Sequence, residues 1–237
     1  MGVSEIFKTI LLYPLLNLLV FFYNYIPDIG VVIILLTVLV RLALLPSFHK
    51  SLKHQKALQD LQPKMNEVKE KYKDDKEQQA KALMELYKVH KVNPLSSCLP
   101  LLIQLPILIA LYQVFIQSLN GQALHGIYSF VHVPSHIDPM FLHLINLKEK
   151  NLWMPAIAAI LQYFQGKLTQ PKIQAADTTS KMMNYQMLYM FPILTFFIGL
   201  QFPAGLTLYW IITTLFGIGQ QYYILHKEAN KILHAGQ

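Results

Sequence analysis

Long apolar runs alternate along this chain with one strongly polar run. Ile29 to Phe48, centred on VVIILLTVLV, carries a single charge, Arg41, and meets the roughly 20 residues a membrane-crossing helix needs. Leu99 to Leu119 is a second such run. Leu152 to Leu168, shorter and containing Gln162 and Gln165, is a third. Met187 to Leu225 is too long for one crossing, and Gln201-Phe202-Pro203-Ala204-Gly205 predicts a turn that divides it into a fourth and a fifth. Several of these spans are shorter than ideal, which predicts tilt or local thinning of the bilayer. Ile6 to Ile26 has a different pattern: Glu5, Thr9, Tyr13, Asn17 and Asn24 share one helical stripe, and Leu, Ile and Phe oppose it. That pattern predicts an amphipathic helix lying in the membrane interface rather than a sixth span. No small-residue cleavage site follows the apolar run, which disfavours a cleavable signal.

Within the polar run, Leu58, Leu61, Met65, Val68 and Tyr72 recur at three- and four-residue steps, so a helix is expected, kinked at Pro63. Lys73-Asp74-Asp75-Lys76 reads as a turn. Leu83, Leu86 and Tyr87 mark a second helix that ends before Asn93-Pro94. Two such helices form an antiparallel hairpin projecting from the membrane. The expected architecture is all-α and polytopic: an interfacial helix over 1–28, span 1 over 29–49, a cytoplasmic helical hairpin over 50–93, and spans 2–5 with short connectors over 94–237, for five transmembrane helices in one membrane domain.

Composition agrees. Of 237 residues 54% are hydrophobic and only 14% charged, against roughly 25% charged in a typical soluble domain. Between Ser47 and Asn93 lie 11 lysines and 7 acids, 18 of the 33 charges, so the rest of the chain has too few charges to coat a water-soluble surface. The lysine-rich insert, the connector bearing Lys167, Lys172 and Lys181, and the tail with Lys227 and Lys231 all fall on one side of a five-span arrangement. Lysine bias makes that side cytoplasmic, placing the N-terminus outside and the C-terminus inside. The net charge of +7 therefore reports topology first. Lysines interleaved with acids in the insert argue against sequence-specific nucleic-acid reading. The lone Cys98 excludes an intrachain disulfide and a cysteine-based metal cluster.

Arg41 is the most informative residue. Its guanidinium does not lose its proton in proteins, and mid-helix placement costs about 2.5–3.5 kcal/mol on insertion scales. No Asp or Glu lies inside any of the five spans, and Asp28 is about 18–20 Å away along a helix. Three arrangements keep such a cation solvated: snorkelling to the inner headgroups, polar partners across the bundle, or a water-filled cavity. Thr37 one turn above, Gln104, Gln113, Gln162, Tyr209, Trp210 and Thr213 supply matching uncharged polar groups, and a wet, positively charged cavity accounts for most of them. The spans hold no phosphate-binding loop, no carboxylate relay, and no protease-like nucleophile or HExxH site. An anion channel or carrier, or a hydrophilic foothold for a passing polypeptide, remains. His125, His132, His136 and His143 read as ordinary loop histidines, since Pro134 argues against a helix bringing two of them together.

These residues also form recognisable motifs. Leu36-Thr37-Val38-Leu39-Val40-Arg41-Leu42 followed by Pro46, then Leu61-Gln62-Pro63-Lys64-Met65 and Leu86-Tyr87-Lys88, resemble the YidC-type membrane protein insertases. So do the run from Val92-Asn93-Pro94 through Cys98 to Gln104-Leu105-Pro106-Ile107, and Phe202-Pro203-Ala204-Gly205-Leu206-Thr207-Leu208-Tyr209-Trp210 with Gln220-Gln221. The similarity covers nearly the whole chain in the short, five-span bacterial form of the family. It implies a non-enzymatic insertase and chaperone that needs no cofactor or metal. It further implies a hydrophilic groove, open to cytoplasm and lipid, that takes Arg41, Thr37, Tyr209, Trp210, Gln104 and, by polarity, Gln162. Leu108, Leu111, Phe115, Met190, Ile193 and Phe197 are then candidates for a greasy slide along spans 2 and 4. Implied partners are substrate membrane proteins and nascent chains, single-span ones with short acidic outer segments among them. Membrane lipids, a translocation channel and the ribosome complete the set, with the chain working as a monomer in the bacterial plasma membrane. The alternative is a small-anion channel or carrier.

A cysteine placed at position 41 or 162, in a chain whose Cys98 has been replaced, is expected to react with a water-soluble thiol reagent in intact membranes. Failure at both positions means a dry interior.

Overall fold

A computed structural model describes residues 2–93, 99–119, 125–168, 182 and 185–235; Cys98, Lys172 and Lys181 lie outside them. Helix α1 spans Val3–Tyr25 with a π-helical turn at Lys8–Leu12. It is followed by α2 (Ile29–Ala43), α3 (Leu45–Asp60), α4 (Gln62–Lys71), α5 (Lys76–Val89) and α6 (Leu99–Leu119). Strands β1 (Met140–Phe141) and β2 (Ile145–Asn146) precede α7 (Trp153–Leu168). A π-turn at Gln186–Met190 leads into α8 (Phe191–Gly199), and α9 runs over Ala204–Ala235.

The helix expected to run unbroken from Ile29 to Phe48 ends at Ala43 and resumes at Leu45 with a 65° bend. Pro46 is the reason: it brings no N–H to the ladder and its ring crowds the carbonyl four residues back, so it sits in the first turn of a new helix. Pro63 acts in the same way and opens α4 after Leu61, a break rather than a kink. Asp75 caps α5, accepting from the N–H groups of Glu77 and Gln78 at 3.1 and 2.9 Å. The α4–α5 hairpin is tied by the Gln79 amide donating to the Lys69 carbonyl at 2.8 Å and by the Tyr87 hydroxyl against Met65 Sδ at 3.8 Å. Partial burial pushes the Tyr87 phenol above its ordinary pKa.

Helix α9 is the central element, packed on α2 and on α7, with α8 covering α7 and α1 covering α2 and α6. Its first two turns bury Ala204, Leu206, Leu208, Tyr209 and Ile211 against a core that includes Val32, Ile33, Leu36, Leu111 and Val114. Exposed Leu35, Leu39 and Leu42 on α2, Leu102, Leu105 and Ile109 on α6, and Ile193, Leu194 and Phe197 on α8 form an apolar exterior, as lipid contact requires. By length and composition α1 and Leu102–Leu119 of α6 are long enough to cross a membrane, and the bent α2–α3 pair is a third candidate.

A segment that sequence periodicity leaves unread closes one end. Met140–Phe141 pairs antiparallel with Ile145–Asn146. A Cβ on Gly30 would fall 2.0 Å from the Phe141 ring, so the hairpin seats directly on the start of α2. One Asp28 oxygen caps α2 through Gly30 N–H at 2.9 Å and Val31 N–H at 3.1 Å, and the other accepts Leu142 N–H at 2.7 Å. The free N–H groups of Ala204 and Gly205 at the start of α9 donate to the carbonyls of Glu149 and Leu147 at 2.8 and 2.9 Å. The stripe on α1 also faces this segment. Asn17 donates to the Gly126 carbonyl at 2.9 Å and accepts Tyr128 N–H at 2.7 Å, and Asn24 donates to the His132 carbonyl at 2.8 Å. The Tyr23 hydroxyl accepts Asp138 N–H at 2.8 Å.

Asp28→Ala removes a cap and a hairpin latch together and is expected to cost about 1–2 kcal/mol, measured as a lower Tm in detergent micelles. Asp28→Asn, which also caps well, is expected to retain most of that stability.

Candidate functional site

Arg41 occupies the last turn of α2, where the partial negative charge of the helix end favours a cation. It is half-buried, and its Cζ lies 4.6 Å from the centroid of the buried Phe48 ring. Among the described residues no carboxylate pairs with it; a near neighbour from another helix is Tyr209 of α9. Tyr209 is buried, and its hydroxyl accepts a hydrogen bond from the Gln104 side-chain amide of α6. Thr213, one turn along α9, is buried, and its Oγ1 makes no hydrogen bond of normal geometry to a described residue. Thr37 is buried four residues above Arg41 and donates to the Ile33 carbonyl at 2.6 Å, which leaves its oxygen able to accept.

Arg41, Gln104 and Tyr209 thus belong to three helices. Among the described residues α2 and α6 share no substantial packing, and α9 lies between them and touches both. Trp210 is half-buried beside Tyr209 in sequence, its carbonyl taking the Thr214 hydroxyl at 2.9 Å. Gln162 goes elsewhere: its side-chain oxygen accepts from the buried Thr195 hydroxyl and fastens α7 to α8. Away from the β1–β2 hairpin, an open cleft runs between Leu52, Lys56 and Gln59 of α3, Leu168 at the end of α7, and Gln221 and Ile224 in the second half of α9.

The slide expected on α6 requires correction. Leu111 and Phe115 are buried in the core against α1 and α9, and the exposed face is Leu102, Leu105 and Ile109. Met190 in the π-turn and Ile193 and Phe197 on α8 are exposed. The helical pattern of α6 is apolar all round, so the sequence has no means of choosing the face. Among the described residues no group of His, Cys, Asp and Glu could hold a metal ion, and the outer-loop histidines are not gathered into one. Phe48 escaped the sequence reading, because it meets Arg41 across the 65° bend that separates their two helices.

Comparison with known proteins settles the lineage. The profile of the family described as 60Kd inner membrane protein matches residues 21–231. The chain belongs to this family. As a 60Kd inner membrane protein family member it is 38% identical over 217 residues to the membrane protein insertase YidC of Pelobacter propionicus, covering 91% of this chain and 38% of that protein. It is also 38% identical over 215 residues to the insertase YidC of Nitratidesulfovibrio vulgaris, covering 90% of this chain and 38% of that one. The chain therefore spans well under half the length of these curated relatives. In structure it resembles the crystal structure of an active YidC insertase with its first transmembrane domain resolved. The TM-score is 0.62 at 28% identity, over 94% of this chain and 47% of that one.

Tyr209→Phe deprives the Gln104 amide of its acceptor inside the bundle. The expected cost is about 1 kcal/mol of stability, read by thermal denaturation in detergent, with helix content unchanged by circular dichroism.

Proposed function

We propose that this chain is a non-enzymatic insertase and chaperone that moves membrane proteins into the bacterial plasma membrane through a hydrophilic groove lined by Arg41, Thr37, Gln104, Tyr209 and Trp210. The observation that supports this most is the guanidinium of Arg41, which among the described residues has no carboxylate to neutralise it and has Tyr209 of α9, hydrogen-bonded to Gln104 of α6, as a neighbour. The names of its relatives agree.

In this reading α2, α6, α7, α8 and α9 cross the bilayer, with the hairpin α4–α5 in the cytoplasm and the β1–β2 segment outside. Helix α1 lies in the outer interface. Its length alone permits a crossing, but its Asn17 and Asn24 bond the irregular backbone of Gly126, Tyr128 and His132 along the helix. A crossing α1 would draw that loop into hydrocarbon, where irregular backbone is not tolerated facing lipid. Helices α2 and α7, of 15 and 16 residues, reach only about 22–24 Å against a hydrocarbon core of about 30 Å. They thin the bilayer around the groove and shorten the path to be crossed.

The substrate is a single-span protein, nascent or complete, with a short acidic or polar outer segment. The cytoplasmic hairpin receives it. Arg41 and groove water hold the polar segment part-way across and offset the desolvation its charges otherwise suffer. Burial of the adjacent apolar helix in lipid drives the step at about 25 cal/mol per Å². The membrane potential adds up to about 2.3 kcal/mol per acidic charge per 100 mV. The chain acts as a monomer at this step, with the ribosome and a translocation channel as sources of substrate.

Arg41→Ala is expected to lower insertion of acidic-segment substrates about tenfold or more, as loss of a charge-assisted hydrogen bond predicts, and neutral-segment substrates far less. Arg41→Lys is expected to retain much of the activity if charge governs the step; a defect as deep as that of Ala means the planar, multi-donor guanidinium is needed. The rival reading, a small-anion channel, follows from the same cation. Purified protein in liposomes separates the two: insertion of a single-span test protein without anion leakage is expected, and anion flux without insertion would overturn the proposal.

A further inference from the structure

We infer that Phe48 is a positioning residue for Arg41: its ring holds the guanidinium at the inner mouth of the groove while leaving the cation's donors free for an incoming acidic segment. The inference rests on the insertion groove proposed above and names what sets its preference for acidic segments.

The contact exists because of the bend. In an unbroken helix, residues seven apart are separated by about 10 Å of rise. Here the chain turns by 65° at Leu44, and the Phe48 ring comes within 4.6 Å of Arg41 Cζ, inside the range in which a ring face attracts a cation. The ring is buried, so its position is fixed by packing and the attraction is weakly screened. Arg41 is partly exposed, and among the described residues no carboxylate pairs with it.

The type of partner matters. A carboxylate at this place would neutralise the cation and occupy its N–H groups, which are the groups a substrate needs. An aliphatic side chain would leave the long arginine free to stretch toward the lipid headgroups. An aromatic face does neither: it attracts the charge but accepts none of the in-plane N–H bonds. Tyr209, a neutral neighbour from α9 whose hydroxyl accepts from Gln104, adds a polar group beside the cation without quenching it.

The test compares Phe48→Leu, which keeps much of the volume and removes the ring face, with Phe48→Tyr, which keeps the face. Each is made in the full chain, reconstituted in vesicles, and assayed with two otherwise identical single-span substrates whose crossing segments are acidic or neutral. Phe48→Leu is expected to lower the acidic-to-neutral insertion ratio about fivefold, within what a desolvated ring–cation attraction supplies, and Phe48→Tyr is expected to restore it. In an Arg41→Ala background Phe48→Leu is expected to change the ratio no further. Equal loss on both substrates, failure of Tyr to rescue, or an added effect without Arg41 would each show Phe48 to be a packing residue and overturn the inference. If Arg41→Ala itself leaves acidic-segment insertion intact, the groove reading falls instead.

Discussion

A guanidinium that cannot shed its proton, set near the end of an apolar helix, constrains everything around it. The usual remedy, a carboxylate within a few ångströms, is missing among the described residues. The structure supplies a distributed remedy. A helix end contributes partial negative charge, a buried ring offers its face, and a tyrosine–glutamine pair from two other helices presents polar atoms. Each is worth little alone, and none cancels the charge.

The two ends of the molecule differ in the kind of interaction that holds them. At the β1–β2 end, hydrogen bonds of 2.7–3.1 Å join Asp28, Leu142, Leu147 and Glu149 to the starts of α2 and α9, and Phe141 fills the space above Gly30. That end is fastened. At the other, the α4–α5 hairpin packs mainly on itself and joins the rest through α3, and neither α4 nor α5 contains a buried residue. A two-helix unit with so little buried surface opens and shifts at low cost, which suits a receiving arm.

Much of this was legible in the residues. The apolar runs marked by Ile29, Leu99, Leu152 and Met187 each contain a helix, the Phe202-Pro203 break falls between α8 and α9, and Asp75 caps where a turn was expected. Arg41, Gln104 and Tyr209 stood out because polar groups in hydrocarbon are costly wherever they point. The bend at Leu44 was less legible: Pro46 was visible, but whether a proline kinks a helix or ends it depends on what catches the freed backbone. The β1–β2 segment had no periodic signal, since two residues per strand are too few to show alternation.

Sequence alone determined the costs: which segments cannot stay in water, which charge cannot be neutralised, and where helices must stop. Those follow from the chemistry of each residue and its neighbours along one helix. Tertiary structure alone decided the company each residue keeps. It sent Gln162 to Thr195, turned Leu111 and Phe115 inward, aimed the polar stripe of α1 at the outer loop, and set Phe48 against Arg41. The reason is geometric. Helical periodicity fixes which residues share a face, but the rotation of one helix against another is set only when all of them pack together.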